Sequence, residues 1–199
     1  MQATLRLQHR ATYGEYLAVE QASKHRHELI DGVIVAMAGG PDEHNAIAGR
    51  LAMLLGQSLS ESCRYFTPDQ RFWVAATGRG RYSDGSIICG KPEHPPHDGQ
   101  ATTNPVIVLE VLSPSSEGDD QGDKRLDFQS LASLQAYVVA SQDRQRVEVY
   151  RRGEGRAWLP TPDVYLASDT FTLPTSDTPL AVAEVYRGIL DADGRSLLR

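Results

Sequence analysis

The stretch Pro105-Val106-Ile107-Val108-Leu109-Glu110-Val111-Leu112-Ser113-Pro114 constrains this chain more than any other. Val, Ile and Leu occupy positions of both parities, so a strand formed here is covered on both faces, as at the centre of an α/β sheet. Glu110 then shares a face with Val106 and Val108. A carboxylate withdrawn from water is costly unless a partner compensates it. Two partners fit: an arginine in a buried ion pair, or a divalent metal ion. The metal alternative draws support from Asp84, a second acid placed just ahead of the apolar run Gly85-Ser86-Ile87-Ile88-Cys89.

The length of 199 residues suits one domain spanning 1–199. An apolar fraction of 40% allows a sizeable core, and the 23% of charged residues is ordinary for a globular chain. No run approaches the roughly 18 apolar residues of a membrane span. The segment Met1–Leu7 lacks the apolar core of a secretory signal, so a cytoplasmic setting is expected. Cys63 and Cys89 lie in apolar surroundings and are expected to be reduced, buried thiols. The net charge of −6 argues against a strongly basic nucleic-acid binder. It leaves nucleic acid open, because an acidic site adds negative charge that a bound cation cancels. The lysines are Lys24, Lys91 and Lys124, and every other basic side chain is arginine, which suits bidentate phosphate contacts.

Thr12-Tyr13-Gly14-Glu15 fits a capping box that opens a helix to about Ala22. Asp31-Gly32 between His27–Ile30 and Val33–Met37 predicts a hairpin. Gly39-Gly40-Pro41 breaks the chain. Ile47, Leu51, Leu54, Leu55 and Leu59 then recur at helical spacing from Asp42 to about Ser62. Strands are expected at Arg64–Thr67, Gln70–Val74 and Ser86–Cys89, and a surface loop over Gly90–Asn104. After the Glu110 strand come a polar loop over Ser113–Asp120, a helix from about Gln121 to Leu131, and a hairpin of Ala136–Ala140 with Val147–Arg152. Short strand signals at Trp158-Leu159 and Phe171–Leu173 lead to a helix near Val182–Leu190.

Glu28 in a hairpin strand, Asp84 before an apolar strand, Glu110 on a neighbouring strand and Lys124 in the next helix make an ordered set. This order resembles the PD-(D/E)XK nuclease superfamily and, more closely, the Uma-two family of restriction-endonuclease-like proteins. Further pieces carry the likeness: Glu28-Leu29-Ile30-Asp31-Gly32, Glu43-His44-Asn45, Asn104 to Ser115, Gly122-Asp123-Lys124, Ser133-Leu134-Gln135-Ala136-Tyr137-Val138-Val139 and Thr178-Pro179-Leu180. The resemblance implies an α/β fold with a restriction-endonuclease-like mixed β-sheet core flanked by helices. Two departures stand out. The superfamily's Pro-Asp is Ser83-Asp84, and the place often held by lysine is Leu112, the lysine having moved to Lys124.

The implied chemistry is metal-dependent hydrolysis of DNA phosphodiester bonds. Mg²⁺, or Mn²⁺, prefers oxygen ligands. Asp84, Glu110 and the backbone carbonyl of Val111 would supply them. Lys124 would place a compact positive charge beside the attacking water or the scissile phosphate. Glu28 would complete the site through metal-bound water or by orienting Lys124. His44, at the head of the long helix, is a candidate for a phosphate contact or proton shuttle, against the plain reading of a helix-start histidine. A homodimer suits cutting of both strands.

The residues also fit other readings. A catalytically inactive nuclease-fold module that binds nucleic acid or protein fits the lost proline and the acidic charge. A two-carboxylate glycosidase would need two carboxyl groups flanking a sugar-sized groove. His94 and His97, with Glu93 and Asp98, lack the third His or a Cys of a zinc site and read as loop residues. Asp119, Asp120 and Asp123 suit the positive end of a helix, and they lack EF-hand spacing. Trp73 and Trp158 read as packing residues. No phosphate-binding GxxxxGK[S/T] loop and no G-x-S-x-G elbow is present.

Overall fold

A computed structural model describes residues 9–112 and 122–197 and builds them on a six-stranded mixed sheet and a five-stranded one. Helix α1 (Tyr13–Ala22) opens on the expected capping box: Thr12 Oγ1 accepts from Glu15 N–H at 3.2 Å, and Glu15 Oε2 accepts from Thr12 N–H at 2.7 Å. Strands β1 (His27–Ile30) and β2 (Val33–Ala36) form the hairpin. Its turn is left-handed at both central residues, with φ of 51° at Asp31 and 80° at Gly32, the combination Asp-Gly favours. Helix α2 (Asp42–Ser58) follows the Gly39-Gly40-Pro41 break.

Strands β3 (Cys63–Phe66), β4 (Arg71–Val74), β5 (Arg79–Arg81), β6 (Gly85–Cys89), β7 (Ala101–Thr102) and β8 (Ile107–Leu112) come next. Helix α3 (Asp123–Gln129) leads to the hairpin of β9 (Ala136–Ser141) and β10 (Arg146–Arg151). Strands β11 (Asp163–Leu166), β12 (Thr170–Leu173) and β13 (Ser176–Ala181) precede the short helix α4 (Val182–Val185). The six-stranded sheet runs β11-β10-β9-β8-β6-β3, and the five-stranded sheet β2-β1-β5-β4-β7. Strand β8 lies inside the larger sheet, parallel to β9 and antiparallel to β6.

All six residues of β8 are buried, as a run apolar at both parities requires. Ile107, Leu109 and Val111 join Ile47, Leu51 and Leu55 of α2 in one core cluster. Val108 and Leu112 join Phe128 of α3, Phe72 and Tyr137 in the other. Glu110 shares the parity of Val108 and Leu112, so its carboxylate belongs to the α3 side. Removing one buried leucine such as Leu51 from either layer costs about 2–5 kcal/mol.

Four expectations are corrected. Cys63 and Cys89 are not free thiols: opposite each other on β3 and β6, they form a disulfide. The segment 90–104 is more than surface loop, because β7 pairs parallel with β4 and Asp98, Ala101 and Thr102 are buried. Arg79-Gly80-Arg81, for which no element is expected, forms strand β5. Gly80 carries no side chain there because a Cβ would fall 2.8 Å from Cε1 of Tyr16, buried beneath it. The last helix ends at Val185, well short of Leu190, and β11 and β13 carried no recognised signal. At Trp158 the expected strand is only an isolated bridge to Arg152, while the side chain packs against the Phe128 cluster as expected. The expected loop Ser113–Asp120, with Asp119 and Asp120, lies outside the described residues. Among those described, no helix is long and apolar enough to cross a membrane.

Candidate active site

The pairing of β6 with β8 stops at Gly85 opposite Leu109, and Asp84 stands at that fork. Its own N–H donates to the Leu109 carbonyl at 3.1 Å, and its Oδ2 accepts the N–H of Val111 at 2.7 Å. A side-chain carboxylate therefore continues the ladder where backbone pairing ends. The residue after it permits this position. A Cβ on Gly85 would lie 2.0 Å from the Tyr65 hydroxyl, which in turn donates to the Asp84 carbonyl at 3.4 Å. Burial, with Asp84's charge adding to it, pushes the Tyr65 phenol up to about 12, so it remains a neutral donor at pH 7.

His44 approaches the same carboxylate from the first turn of α2, its Nε2 3.1 Å from Asp84 Oδ2. The ring lies back over the preceding loop, where a Cβ on Gly40 would come within 2.5 Å of Nδ1. Glycine at 40 thus gives the imidazole its place. Burial acts to raise the Asp84 carboxyl, but the His44 hydrogen bond and charge, the Lys124 ammonium and the Val111 N–H outweigh it. They hold Asp84 below the usual carboxylate range.

Glu110 is 2% exposed, and its Oε1 lies 3.0 Å from Nζ of Lys124. The sequence left arginine or metal as its compensator; the structure supplies this lysine. Lys124 is buried in the first turn of α3, not solvated. Asp127, three residues on and so on a neighbouring position of the helix surface, anchors α3 to β5. Its Oδ2 accepts from Arg81 Nε at 2.8 Å and Arg79 Nη1 at 3.0 Å, and its Oδ1 from Thr77 at 3.0 Å. Arg81 is fully buried and donates through Nη1 to Glu28 Oε2 at 2.8 Å, while Glu28 Oε1 accepts the Tyr82 N–H at 2.9 Å. Among the described residues these are the hydrogen bonds of Glu28. Its link to the lysine-bearing helix runs through Arg81 and Asp127.

The geometry thus gathers Asp84, Glu110, Lys124, His44 and the Val111 backbone at one end of β8, with Glu28 a layer behind. Sequence reasoning passed over Tyr65, Gly40, Gly85, Arg81 and Asp127. Gly40 was visible only as part of a chain break and Gly85 only as the start of an apolar run; Tyr65 fell in an expected strand and Asp127 in an expected helix, and Arg81 carried no signal. The histidines of the 90–104 segment have packing partners. His94 Nδ1 is 2.7 Å from the Ala101 carbonyl, and the His97 ring centre is 5.0 Å from Tyr13 and 4.9 Å from Trp73. Among the described residues, no three His, Cys, Asp or Glu side chains converge so as to cage a metal ion by themselves. That arrangement is compatible with Mg²⁺, which is commonly held by one or two carboxylates completed by water and substrate phosphate.

Comparison with known proteins adds to this geometry. Residues 13–183 match the Uma2 family, described as "Putative restriction endonuclease". Two proteins of Synechocystis sp. (strain ATCC 27184 / PCC 6803 / Kazusa) are similar, each 32% identical. "Uncharacterized protein slr1290" aligns over 179 residues, covering 88% of this chain and 90% of its own length. "Uncharacterized protein sll1609" aligns over 151 residues, covering 75% and 85%. The fold is shared with the crystal structure of "a putative nuclease belonging to DUF820" from Anabaena variabilis ATCC 29413. The two superpose with a TM-score of 0.73 at 18% identity, over 90% of this chain and 99% of that one. With the match covering most of its length, the chain belongs to the Uma2 family.

Proposed function

We propose that this protein is a metal-dependent endonuclease that hydrolyses DNA phosphodiester bonds. The observation that carries the reading is the approach of Asp84 to the buried Glu110–Lys124 pair at the end of β8. A hard divalent cation suits the donors present. Both hydrogen bonds to Asp84 fall on Oδ2, and among the described residues no donor reaches Oδ1. Asp84, Glu110 and the Val111 carbonyl would hold Mg²⁺ or Mn²⁺. When bound, such an ion activates water and neutralises charge building on the phosphate.

The chain's own groups do the rest. His44 holds Asp84 through its Nε2 and would lie beside the phosphate backbone at that carboxylate. Lys124 holds a positive charge beside the reacting phosphate, with Glu110 fixing its direction. Glu28, through Arg81 and Asp127, fixes the helix that carries Lys124. The whole chain works as one domain in a cytoplasmic setting, and two copies would cut the two strands.

The direct Glu110–Lys124 contact also favours a second reading. The pair neutralises itself without a metal, as in a scaffold that binds nucleic acid or protein without cutting. Purified protein incubated with supercoiled plasmid and with single-stranded DNA, in Mg²⁺, Mn²⁺ or EDTA, separates the two. The expected result is cutting that EDTA abolishes and that Asp84→Ala and Lys124→Ala each remove. Cutting that survives both substitutions overturns the proposal. Binding without any cutting supports the second reading.

A further inference from the structure

The Cys63–Cys89 disulfide borders a cavity of about 630 Å³ on the flank of β3, away from Asp84. Both cysteines line it and both are only half-buried. The two sulfurs have unequal surroundings. Ser60 Oγ donates to Cys63 Sγ at 3.3 Å, and Ser62 Oγ lies 3.8 Å from the same atom. Among the described residues Cys89 Sγ has no hydroxyl neighbour of this kind. Hydroxyl donors stabilise a thiolate, and thiol–disulfide exchange proceeds fastest when the departing sulfur is the better-stabilised thiolate. Among the described residues Asp177 carries the one charge on the cavity lining, so the space favours an uncharged or cationic thiol over an anionic one.

We propose that this cavity is a thiol-exchange site in which a small thiol joins Cys89 and releases Cys63. The incoming thiolate attacks Cys89 Sγ. A bond forms between the two sulfurs, the Cys63–Cys89 bond breaks, and its electron pair leaves on Cys63 as a thiolate held by Ser60 and Ser62. A second equivalent of the same thiol attacks the mixed disulfide and frees Cys89. The two thiols are oxidised to their own disulfide, and the cystine is reduced to two cysteines. The disulfide is thus a reversible couple rather than a permanent staple. Cys89 ends β6, the strand whose other end follows Asp84.

The test uses the full chain under native conditions. Protein purified without reductant is exposed to cysteamine, acid-quenched at intervals, alkylated with iodoacetamide and mapped by peptide mass spectrometry. The expected early product carries cysteamine on Cys89 and the alkyl group on Cys63. Ser60→Ala with Ser62→Ala slows native reduction about threefold and lets adduct appear on Cys63. Cysteamine outpaces 3-mercaptopropionate, and Asp177→Asn narrows that gap. Adduct mainly on Cys63, alkylation of both cysteines before any thiol is added, or reduction only after unfolding in guanidinium each overturns the proposal. The adduct map needs no variant, so a serine substitution that fails to fold leaves the test intact.

Discussion

Asp84 and Asp98 are both partly withdrawn from water, both face cations, and end differently. Asp98 accepts on both oxygens. Oδ2 takes Arg71 Nε at 2.8 Å and the Tyr13 hydroxyl at 2.9 Å. Oδ1 takes Arg71 Nη2 at 3.0 Å and the N–H groups of Gln100 and Ala101 at 2.9 and 3.2 Å. Among the described residues Asp84 accepts two bonds, both on Oδ2, from a backbone N–H and a histidine. The first carboxylate is closed by a bidentate guanidinium, whose planar fork matches it and never loses its charge. The second is held by partners that leave one oxygen to something else. A buried acid that is fully paired ties segments together, here the 90–104 segment to β4. A buried acid that is half paired is poised for a ligand.

The largest expected effect breaks the closed member. Asp98→Ala strands Arg71 beside Glu20 and Tyr82 in a buried setting and should cost about 3–5 kcal/mol, read by denaturant unfolding. Asp84→Asn should do the reverse. The amide still accepts the Val111 N–H, so stability moves by no more than about 1.5 kcal/mol. Metal-dependent cutting should fall at least about a hundredfold. If Asp84→Asn unfolds the protein while Asp98→Ala leaves it intact, the contrast between the two carboxylates is wrong.

A smaller effect tests what places His44. Gly40→Ala puts a methyl group where the imidazole lies, and should lower cutting about tenfold, by loss of one charge-assisted contact. It should not lower it further when combined with His44→Ala. Independent, multiplying losses in the double variant would show that Gly40 acts elsewhere.

The smallest effect is in pH. Burial raises the Asp98 carboxyl, but Arg71 and the Gln100 N–H overcome it, and the group lies below its ordinary range, as Asp84 does. Both folded values are therefore below the unfolded value of about 3.9. The unfolded chain binds more protons as the solution is acidified. The stabilisation is complete above that pH and is lost as pH falls through the folded values. Melting temperatures followed from about pH 6 to 3 should show the gap between wild type and Asp98→Asn closing below about pH 4. A gap that widens there would reverse the sign.

Much of the scaffold was legible because its signals are local. The apolar run 106–112 marked a strand covered on both faces, Asp31-Gly32 a left-handed turn, Thr12 and Glu15 a helix start, and the leucines of 42–58 a helix with one buried side. Each depends on neighbours a few residues away. Strand β5 was missed because Arg79-Gly80-Arg81 has no apolar pattern. Its burial comes from Tyr16 above Gly80 and from Glu28 and Asp127 around Arg81, residues distant in the chain.

The same division holds at the site. Composition and order pointed to Asp84, Glu110, Lys124, Glu28 and His44 as acids, a lysine and a histidine of one kind of chemistry. Which of them touch was a matter of strand pairing. Sequence order alone does not say that β6 begins beside Leu109, that α3 returns Lys124 to Glu110, or that Glu28 meets Arg81. Nor does it say that Cys63 faces Cys89, since a pattern of apolar neighbours suits a thiol and a disulfide equally. By itself the sequence determined which segments bury their side chains, because hydrophobic period is written residue by residue. Only the tertiary structure decided which charges and sulfurs meet, because hydrogen bonds and ion pairs act over a few ångströms between residues that the chain separates by dozens.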